Sequence, residues 1–363
     1  MTLRILAGCS PGEVRVAAVR DDAMQDFAIW RPGSPDGVGD LHRGRVLARV
    51  AAMAGSFLAL DGSDGFLPDS EGGAGLREGD HVSVRVTRAA QGGKGPRVTA
   101  RLAPDEVPPA RGPGALLELA RRHPNAPVLI DSSALAARVK PVLGDRVSVV
   151  ARAFDDEIEE QVQALAQPDV ELRGGAWLHI HPTPALVAID VDAGGAVAPR
   201  QSKAAAHLAA NLAVLAVLGQ QIRLRNLSGA ILVDFAGLPA RRRASLGPAL
   251  HAALAEDPLR PRLLGFTALG LAEIVRTRVH PPLHELIAGP HAAGLTALRR
   301  IATEVATPPH RLPALRASPA IVAALHDDTE ALPDLARRAG GDLTVRSDPN
   351  LPATAWTIEA IDG

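Results

Sequence analysis

Cysteine is nearly absent from this chain of 363 residues, since Cys9 is the only one. A single cysteine excludes a disulfide within the chain and a zinc site built from several thiolates, and it fits a reducing compartment. Long apolar runs are also missing, because the longest, residues 208–218, is interrupted by Asn211. That run is too short to span a bilayer, and no basic-then-apolar leader opens the sequence. We therefore expect a cytoplasmic protein without a membrane partner.

Lysine is scarce as well, at three of the 39 basic residues, so arginine carries nearly all the positive charge. A GC-rich genome explains this bias, although the planar guanidinium also suits paired contacts with phosphate oxygens. The net charge is −1, so any nucleic-acid surface must be a local patch. The apolar content of 47% predicts a globular chain, and its length allows two or three domains.

Hydrophobic periodicity predicts an α/β or α+β protein of several parts. Residues 3–31 alternate as a strand hairpin or three short strands, and residues 40–102 hold about five short strands with Gly-rich turns, typical of a small barrel. Residues 103–114 form a Pro/Gly-rich linker, and helices alternate with strands over 115–172. From 173 onward strands alternate with long helices, predicted over 202–223, 240–256 and 269–287, before a small α+β tail over 293–363.

Two apolar strands each carry aspartate near the carboxyl end. In PTPALVAIDVDAGG (182–195), a period of two puts Asp190 and Asp192 on one face, before a turn at 193–195. In GAILVDF (229–235), Asp234 has the same relative place, and the single long helix between the segments predicts parallel, neighbouring strands. Carboxylates buried there would favour Mg²⁺ as a partner. The alternative is structural, with Asp192 starting a turn and Asp234 capping a helix.

Basic and aromatic residues suggest a nucleic-acid surface. Between residues 220 and 280 there are nine arginines against four acidic residues, which fits a phosphate-binding rim or a solvated helix face. In the barrel, Phe57, Phe66 and the turn at Lys94 fit a stacking platform for single strands, or simple core packing for the two rings. His179 and His181 are two residues apart on one strand, without a third metal ligand at suitable spacing.

Three segments resemble the catalytic core of the ribonuclease E/G family in order and spacing: PTPALVAIDVDAGG (182–195), RLRNLSGAILVDFAGLP (223–239) and LLGFTALGLAEIVRTR (263–278). The resemblance implies part of an RNase H-like domain over 1–35, an OB-fold RNA-binding barrel over 36–103, and a linker with the rest of the RNase H-like domain over 104–172. A DNase I-like catalytic domain over 173–288 and a small carboxyl-terminal domain over 289–363 complete the implied organisation.

The resemblance also implies roles for individual residues. Asp190 and Asp234 match the family's two metal-holding aspartates, and Asp192 stands where the family usually has a supporting asparagine. Phe57, Phe66 and Lys94 match barrel residues that contact RNA. We add four arginines as candidates to hold the RNA backbone: Arg223, Arg225, Arg276 and Arg278.

Three departures from the family pattern change the expectations. Asp192 adds negative charge beside the metal. The region 103–127 is too short for the family's sensor of a 5′-monophosphate, so we expect little preference for that end. The segment AGPHAAG (288–294) stands where the family has zinc-binding cysteines, so no zinc is expected, and any homodimer needs another interface.

The sequence thus predicts an endoribonuclease that hydrolyses single-stranded RNA with Mg²⁺, or Mn²⁺ as a substitute, and leaves 5′-phosphate and 3′-hydroxyl ends. Its substrate would come from rRNA or mRNA processing or decay. One alternative is a catalytically inactive RNA-binding factor of the same family. Another is a phosphoesterase for a small substrate, which would leave the barrel without a use.

Overall fold

The computed structural model describes residues 3–172, 174–192, 194, 203–235, 237–305 and 312–360. The strands in chain order are β1 Leu3–Ser10, β2 Glu13–Arg20, β3 Ala23–Trp30, β4 Leu41–Val50, β5 Gly55–Ala59, β6 Asp64–Pro68, β7 His81–Arg88, β8 Arg97–Thr99, β9 Val128–Ile130, β10 Val147–Val149, β11 Asp169–Glu171, β12 Trp177–Pro182, β13 Val187–Asp192, β14 Gly229–Phe235, β15 Arg262–Phe266, β16 Ala272–Arg276, β17 Ala314–Ala317, β18 Thr344–Ser347 and β19 Trp356–Glu359.

The α-helices in chain order are α1 Gly114–Arg122, α2 Ser133–Leu143, α3 Asp156–Ala164, α4 Lys203–Leu224, α5 Ala240–Arg243, α6 Gly247–Leu254, α7 Leu283–Leu286, α8 Gly289–Val305, α9 Pro319–Asp327 and α10 Ala331–Ala339. Among these helices, none combines the length and the apolar character needed to cross a membrane in the part of the chain described. The predicted turn at 193–195 lies outside the described residues, apart from Gly194, and so does a helix start at Ser202.

The first sheet has the order β10-β9-β1-β2-β3. Strands β1 to β3 form an antiparallel meander, whereas β9 and β10 run parallel to β1. Apolar residues on one face pack against α1 and α2, and those on the other face pack against α3 and the end of α4. Residues 3–30 therefore form three strands, one of the two arrangements that the sequence predicted.

The barrel is closed by five strands in the order β4-β5-β6-β8-β7, as predicted. Its interior is filled by alternate apolar side chains that are almost fully buried, among them Val46, Leu58, Leu67 and Val84. Because strand residues alternate between faces, the intervening side chains point outward. The barrel is therefore a packed body, and its polar side chains lie on the outside.

The largest sheet has six strands in the order β11-β12-β13-β14-β16-β15. Only β13 and β14 pair in parallel, and the other neighbours are antiparallel. One face is apolar and packs on α4 and α6, with Ile189, Val233 and Phe235 buried there. The parallel pair follows from the single α4 crossover between its strands. The prediction of a mixed α/β protein with a barrel is confirmed, and the finer fold names stay predictions.

One predicted helix, over 269–287, is wrong. The chain instead forms the strand β16 and then the short helix α7. Burial alternates along β16, with Ala272, Ile274 and Arg276 on the inner side, which is the period of a strand. β16 lies between β14 and β15, so its backbone groups pair on both sides. Pro281 and Pro282 also prevent a continuous helix to residue 287.

The last part of the chain forms a three-stranded sheet, β18-β17-β19, packed against α8, α9 and α10. It contacts the first sheet at the β1–β2 turn. Gly12 has φ +75° there, and a Cβ atom at this position would come within 2.6 Å of Ala331. Arg338 donates to the carbonyl of Cys9 at 3.1 Å, which ties α10 to β1.

Candidate active site

Four polar residues line up across four neighbouring strands of the six-stranded sheet. The register pairs Asp169 with His179, His179 with Asp190, and Asp190 with Asp234. Directly paired residues share a face of a sheet, so all four side chains lie on the face opposite α4 and α6. We call this set the acidic row. The two predicted metal-binding aspartates are therefore direct neighbours on parallel strands.

The acidic row is open to solvent. Asp190 and Asp192 are exposed, and the side chain of Asp234 is 49% exposed. The expectation of buried carboxylates was wrong, because α4 and α6 cover only the other face of the sheet. An exposed carboxylate pair can reach a large substrate directly, which a buried pair cannot.

Asp192 extends the negative charge beyond the row. It lies two residues after Asp190 on the same face and is paired with Trp177 of β12. Its Oδ1 accepts a hydrogen bond from the backbone N–H of Gly194 at 2.9 Å. This contact anchors the carboxylate at the strand end, as in the structural alternative, while Asp192 stays exposed beside Asp190.

Arg243 is a site residue that the sequence alone did not single out. Its guanidinium forms an ion pair with Oδ1 of Asp234, and its Nε donates to the carbonyl of Leu238 at 2.8 Å. A second contact reaches the carbonyl of Gly270 at 3.4 Å. The arginine is thus held by the loop after β14, and it places positive charge beside one carboxylate of the pair. The sequence signal was the Arg241–Arg243 run, which looked like a solvated helix face.

His179 is held in a defined orientation. Its Nδ1 lies 2.6 Å from Oδ1 of Asp169, and its ring lies nearly parallel to that of Trp177, with 6.5 Å between centroids. The partner Asp169 comes from β11, a strand that sequence patterns did not predict. His181 is exposed two residues further along.

The donor set matches a magnesium site better than a zinc cage. Among the described residues, no group of three or more His, Cys, Asp or Glu side chains is placed to hold a metal ion. Mg²⁺ is usually held by one or two carboxylates, with waters and substrate phosphate as further ligands. Structural zinc needs four protein ligands. The adjacent carboxylates of Asp190 and Asp234 therefore fit a magnesium ion that also binds substrate.

On the barrel, Phe57 and Phe66 face each other across β5 and β6. Their rings meet edge to face with 5.4 Å between centroids, and both side chains remain partly exposed. They lie on the outer surface, because the inward positions belong to the neighbours Leu58 and Leu67. Lys94 is exposed in the β7–β8 turn, where its backbone pairs with Gln91. All three groups are therefore accessible to a ligand, which simple core packing does not require.

Three of the four predicted RNA-binding arginines are instead buried in the interior. Arg223 donates from Nε to the carbonyl of Gln25 at 3.0 Å, which links α4 to β3. Arg225 donates to the carbonyl of Gln167 at 2.5 Å, and burial lowers its pKa to about 10. These two guanidinium groups connect parts of the fold, and we correct their assignment to a phosphate-binding rim.

Arg276 is the third buried arginine. Its Nε donates to Oδ2 of Asp257 at 2.7 Å, with both side chains at most 3% exposed, and another nitrogen donates to Oδ1 of Asn226 at 2.6 Å. It belongs to the inner face because β16 is a strand rather than the predicted helix. Arg278 lies beyond the end of that strand and forms a two-point ion pair with Glu285. Arg278 lines a cleft beside the barrel, whereas Arg223 and Arg276 line a different pocket, next to β3 and α1.

Comparison with known proteins agrees with this geometry. Residues 130–279 match the sequence model of the Ribonuclease E/G family. This part of the chain is therefore similar to that family. The matched range contains the whole acidic row and Arg243, so the family region and the candidate site coincide.

Individual relatives carry the family name. Ribonuclease G of Escherichia coli is 27% identical over 208 residues, which cover 53% of this chain and 42% of that protein. Ribonuclease E of a Nostoc species is 32% identical over 130 residues, or 36% of this chain and 19% of that protein. A chloroplastic ribonuclease E/G-like protein of Arabidopsis thaliana is 34% identical over 144 residues, or 38% and 14%. The chain thus matches less than half the length of these ribonuclease E/G relatives.

Proposed function

We propose that this protein is an endoribonuclease that hydrolyses single-stranded RNA with Mg²⁺ held by Asp190 and Asp234. The observation that carries the proposal is the direct pairing of these two aspartates on an exposed sheet face. That face lies within the range that matches the ribonuclease E/G family. The proposed products end in 5′-phosphate and 3′-hydroxyl groups, and Mn²⁺ is a substitute ion.

Each part of the site has a place in the proposed reaction. A divalent ion on the aspartate pair would polarise the scissile phosphate and lower the pKa of the attacking water. Arg243 fixes the orientation of Asp234 and supplies a cation where negative charge builds up on the phosphate. Asp192, anchored by Gly194, adds negative charge that favours a divalent ion. Phe57, Phe66 and Lys94 hold the single strand through stacking and charge rather than a strict base code.

The decisive experiment uses a fluorescent, unstructured, A/U-rich RNA of about 30 nucleotides, a length that exceeds the site size of a single barrel domain. It is incubated with Mg²⁺ or with chelator, using wild type and the Asp190→Asn/Asp234→Asn variant. We expect internal cleavage only with Mg²⁺ and both aspartates, and end-group analysis of the products shows which ends are left. RNAs that differ in their 5′ end test the expected indifference to a 5′-monophosphate.

The competing hypothesis is an RNA-binding factor of the same family without catalysis. It predicts tight RNA binding that is equal in wild type and variant, with intact RNA under all conditions. The accessible aspartate pair with Arg243 beside it favours the nuclease. Cleavage that survives chelation and both substitutions would place the chemistry elsewhere and refute the proposed site.

A further inference from the structure

A cleft of about 630 Å³ separates the barrel from the six-stranded sheet. Arg88 and Arg97 line its barrel side, and Arg278, Ser228 and His284 line the opposite side. The cleft reaches the amino ends of β13 and β14, where it includes Val187 and Ala230. Asp190 follows Val187 by three positions on β13, so the cleft lies about 10 Å from the aspartate pair.

The charge in this cleft is not balanced by the protein. Arg278 is paired with Glu285, and the carboxylate of Glu71 accepts a hydrogen bond from the hydroxyl of Thr99 at 2.8 Å. Arg88 and Arg97 have no carboxylate partner within the described ranges. Burial lowers the pKa of the Arg88 guanidinium, and the neighbouring charges of Arg97 and Arg278 lower it further. Arginines crowded in this way favour an anion between them.

Hydrogen-bonding capacity is unused on both walls of the same cleft. Nε of Arg88, Oγ of Ser228 and Nδ1 of His284 are buried, and each lacks a hydrogen-bond partner among the described residues. Buried polar atoms normally have partners. Two of these atoms are hydrogen-bond donors, and all three residues line one cleft. An anion in the cleft would therefore lie beside all three residues.

The barrel register connects this cleft to the stacking platform. Phe57 pairs with Phe66, Phe66 pairs with Arg97, and Arg97 pairs with Arg88, across β5, β6, β8 and β7. These four residues, which we call the barrel row, change from aromatic to basic as they approach the cleft. The N–H of Ala89 donates to the carbonyl of Val279 at 2.9 Å, which holds the end of the row against the sheet domain.

We infer that the cleft is a phosphate-binding subsite, in which Arg97 and Arg88 hold the sugar-phosphate backbone of a single strand between the stacking rings and the aspartate pair. The inference rests on the proposed function for its substrate class and adds a second contact region. The bases stack on Phe57 and Phe66, and the backbone then crosses the cleft toward the acidic row. The subsite recognises charge rather than base identity, so it strengthens binding for every sequence alike.

Binding is tested with chelator present, so that cleavage does not interfere. A short fluorescent A/U-rich RNA is titrated with wild type, Arg97→Gln, Arg88→Gln and Arg77→Gln at several salt concentrations. Arg77 is the matched control, because it is an exposed barrel arginine in the loop between β6 and β7, outside the cleft. Each lost phosphate contact on a single strand reduces the slope of log affinity against log salt by about 0.7.

We expect each cleft variant to lose about 0.7 from that slope and roughly tenfold in affinity at low salt, with Arg77→Gln unchanged. RNAs with one uncharged methylphosphonate linkage then locate the contact, since one position should weaken wild type but not Arg97→Gln. Thermal unfolding of Arg97→Gln tests whether the fold persists. We expect an unchanged melting temperature, because Arg97 is exposed. Slopes that match wild type in both cleft variants would overturn the inference, and so would an absence of RNA binding by wild type.

The outcomes separate the two proposals. Cleavage with unchanged slopes would refute the subsite and leave the proposed nuclease intact. Reduced slopes without any cleavage by wild type would support the subsite and refute the nuclease. If Arg77→Gln loses as much affinity and salt dependence as the cleft variants, the overall positive charge of the barrel attracts the RNA, and the subsite is refuted.

Discussion

Two rows of four residues, each drawn across four strands, organise the surface of this protein. The acidic row on the six-stranded sheet contains three aspartates and one histidine. The barrel row contains two phenylalanines and two arginines. Both rows arise in the same way, because strand register puts directly paired side chains on one face. Their charges are opposite. The acidic row repels a phosphate group unless a metal ion is bound, whereas the arginines of the barrel row attract it.

Under the proposed function, this difference assigns RNA binding to the barrel and catalysis to the six-stranded sheet. A surface that holds a polyanion tightly needs positive charge and flat rings. A surface that concentrates a divalent cation needs carboxylates with oxygen atoms left to bind it. Loss of a barrel-row residue should therefore change affinity, and loss of an aspartate should change turnover.

The largest effect is expected for Asp234→Asn. Removing one carboxylate of the pair should slow RNA cleavage at least about a thousandfold, because a catalytic metal is worth several kcal/mol. RNA affinity in chelator should change less than about threefold, since the barrel row is intact. Asp169→Asn is the control at the far end of the acidic row, and it should keep activity within about tenfold. If both variants lose the same amount of cleavage activity, the acidic row acts through its overall charge and not through the pair of Asp190 and Asp234.

A second prediction separates arginines on the surface from those in the interior. Arg276→Met leaves the carboxylate of Asp257 buried without its partner, and should lower the free energy of unfolding by about 3–5 kcal/mol. The double variant Arg276→Met/Asp257→Leu removes both charges and should recover most of that loss. Urea unfolding followed by circular dichroism measures both. If the free energy of unfolding of Arg276→Met lies within about 1 kcal/mol of the wild-type value, Arg276 does not have the proposed structural role.

The barrel row is tested next through its aromatic half. Phe66→Leu keeps an apolar side chain but removes the flat ring, so the Kd for single-stranded RNA should rise about five- to hundredfold. The rate at saturating RNA should stay within about twofold of wild type if binding and chemistry are separate. Met53→Leu, an exposed apolar barrel position outside the row, is the control. A lower rate at saturating RNA with an unchanged Kd would show that Phe66 acts in catalysis rather than in binding.

The smallest effect concerns the contact that holds the two bodies together. His280, after β16, lies 2.6 Å from Asp36, in the segment leading to the barrel, and 3.2 Å from Glu118 on α1. Burial alone would lower the pKa of His280, but the hydrogen bonds to the two carboxylates outweigh it and raise the pKa to about 10. The histidine is thus positively charged at neutral pH.

The sign of its pH dependence follows from that shift. Because the folded pKa lies above the ordinary value of 6.5, the added stability is complete below about pH 6.5 and is lost as the pH rises through about 10. The side chain is 35% exposed, so solvent screening limits the contribution to about 1–2 kcal/mol. Unfolding of wild type and His280→Gln should differ most at pH 6 and converge toward pH 10. A difference that grows with pH would contradict the assigned charge state.

Sequence patterns predicted the strands of the candidate site better than the surroundings of single side chains. The period of two around Asp190 placed it on the polar face, and the long helix between the aspartates indicated parallel neighbours. The helix predicted over 269–287 failed, because a short apolar segment fits both periods and only its place between β14 and β15 decides. That error also led to the wrong expectation that Arg276 lies on a phosphate-binding surface, whereas its side chain is buried.

Local periodicity and turn residues were enough to predict the barrel, most strands and helices, and the side of the strand on which each aspartate lies. They missed β11 and β16. Which residues become neighbours across strands depends on the three-dimensional fold. Register brought Arg97 beside Phe66 and His179 beside Asp190, and packing paired Arg276 with Asp257 and Arg243 with Asp234. These contacts join residues from separate strands and loops, and their energy depends on distance and burial, which a linear pattern does not contain.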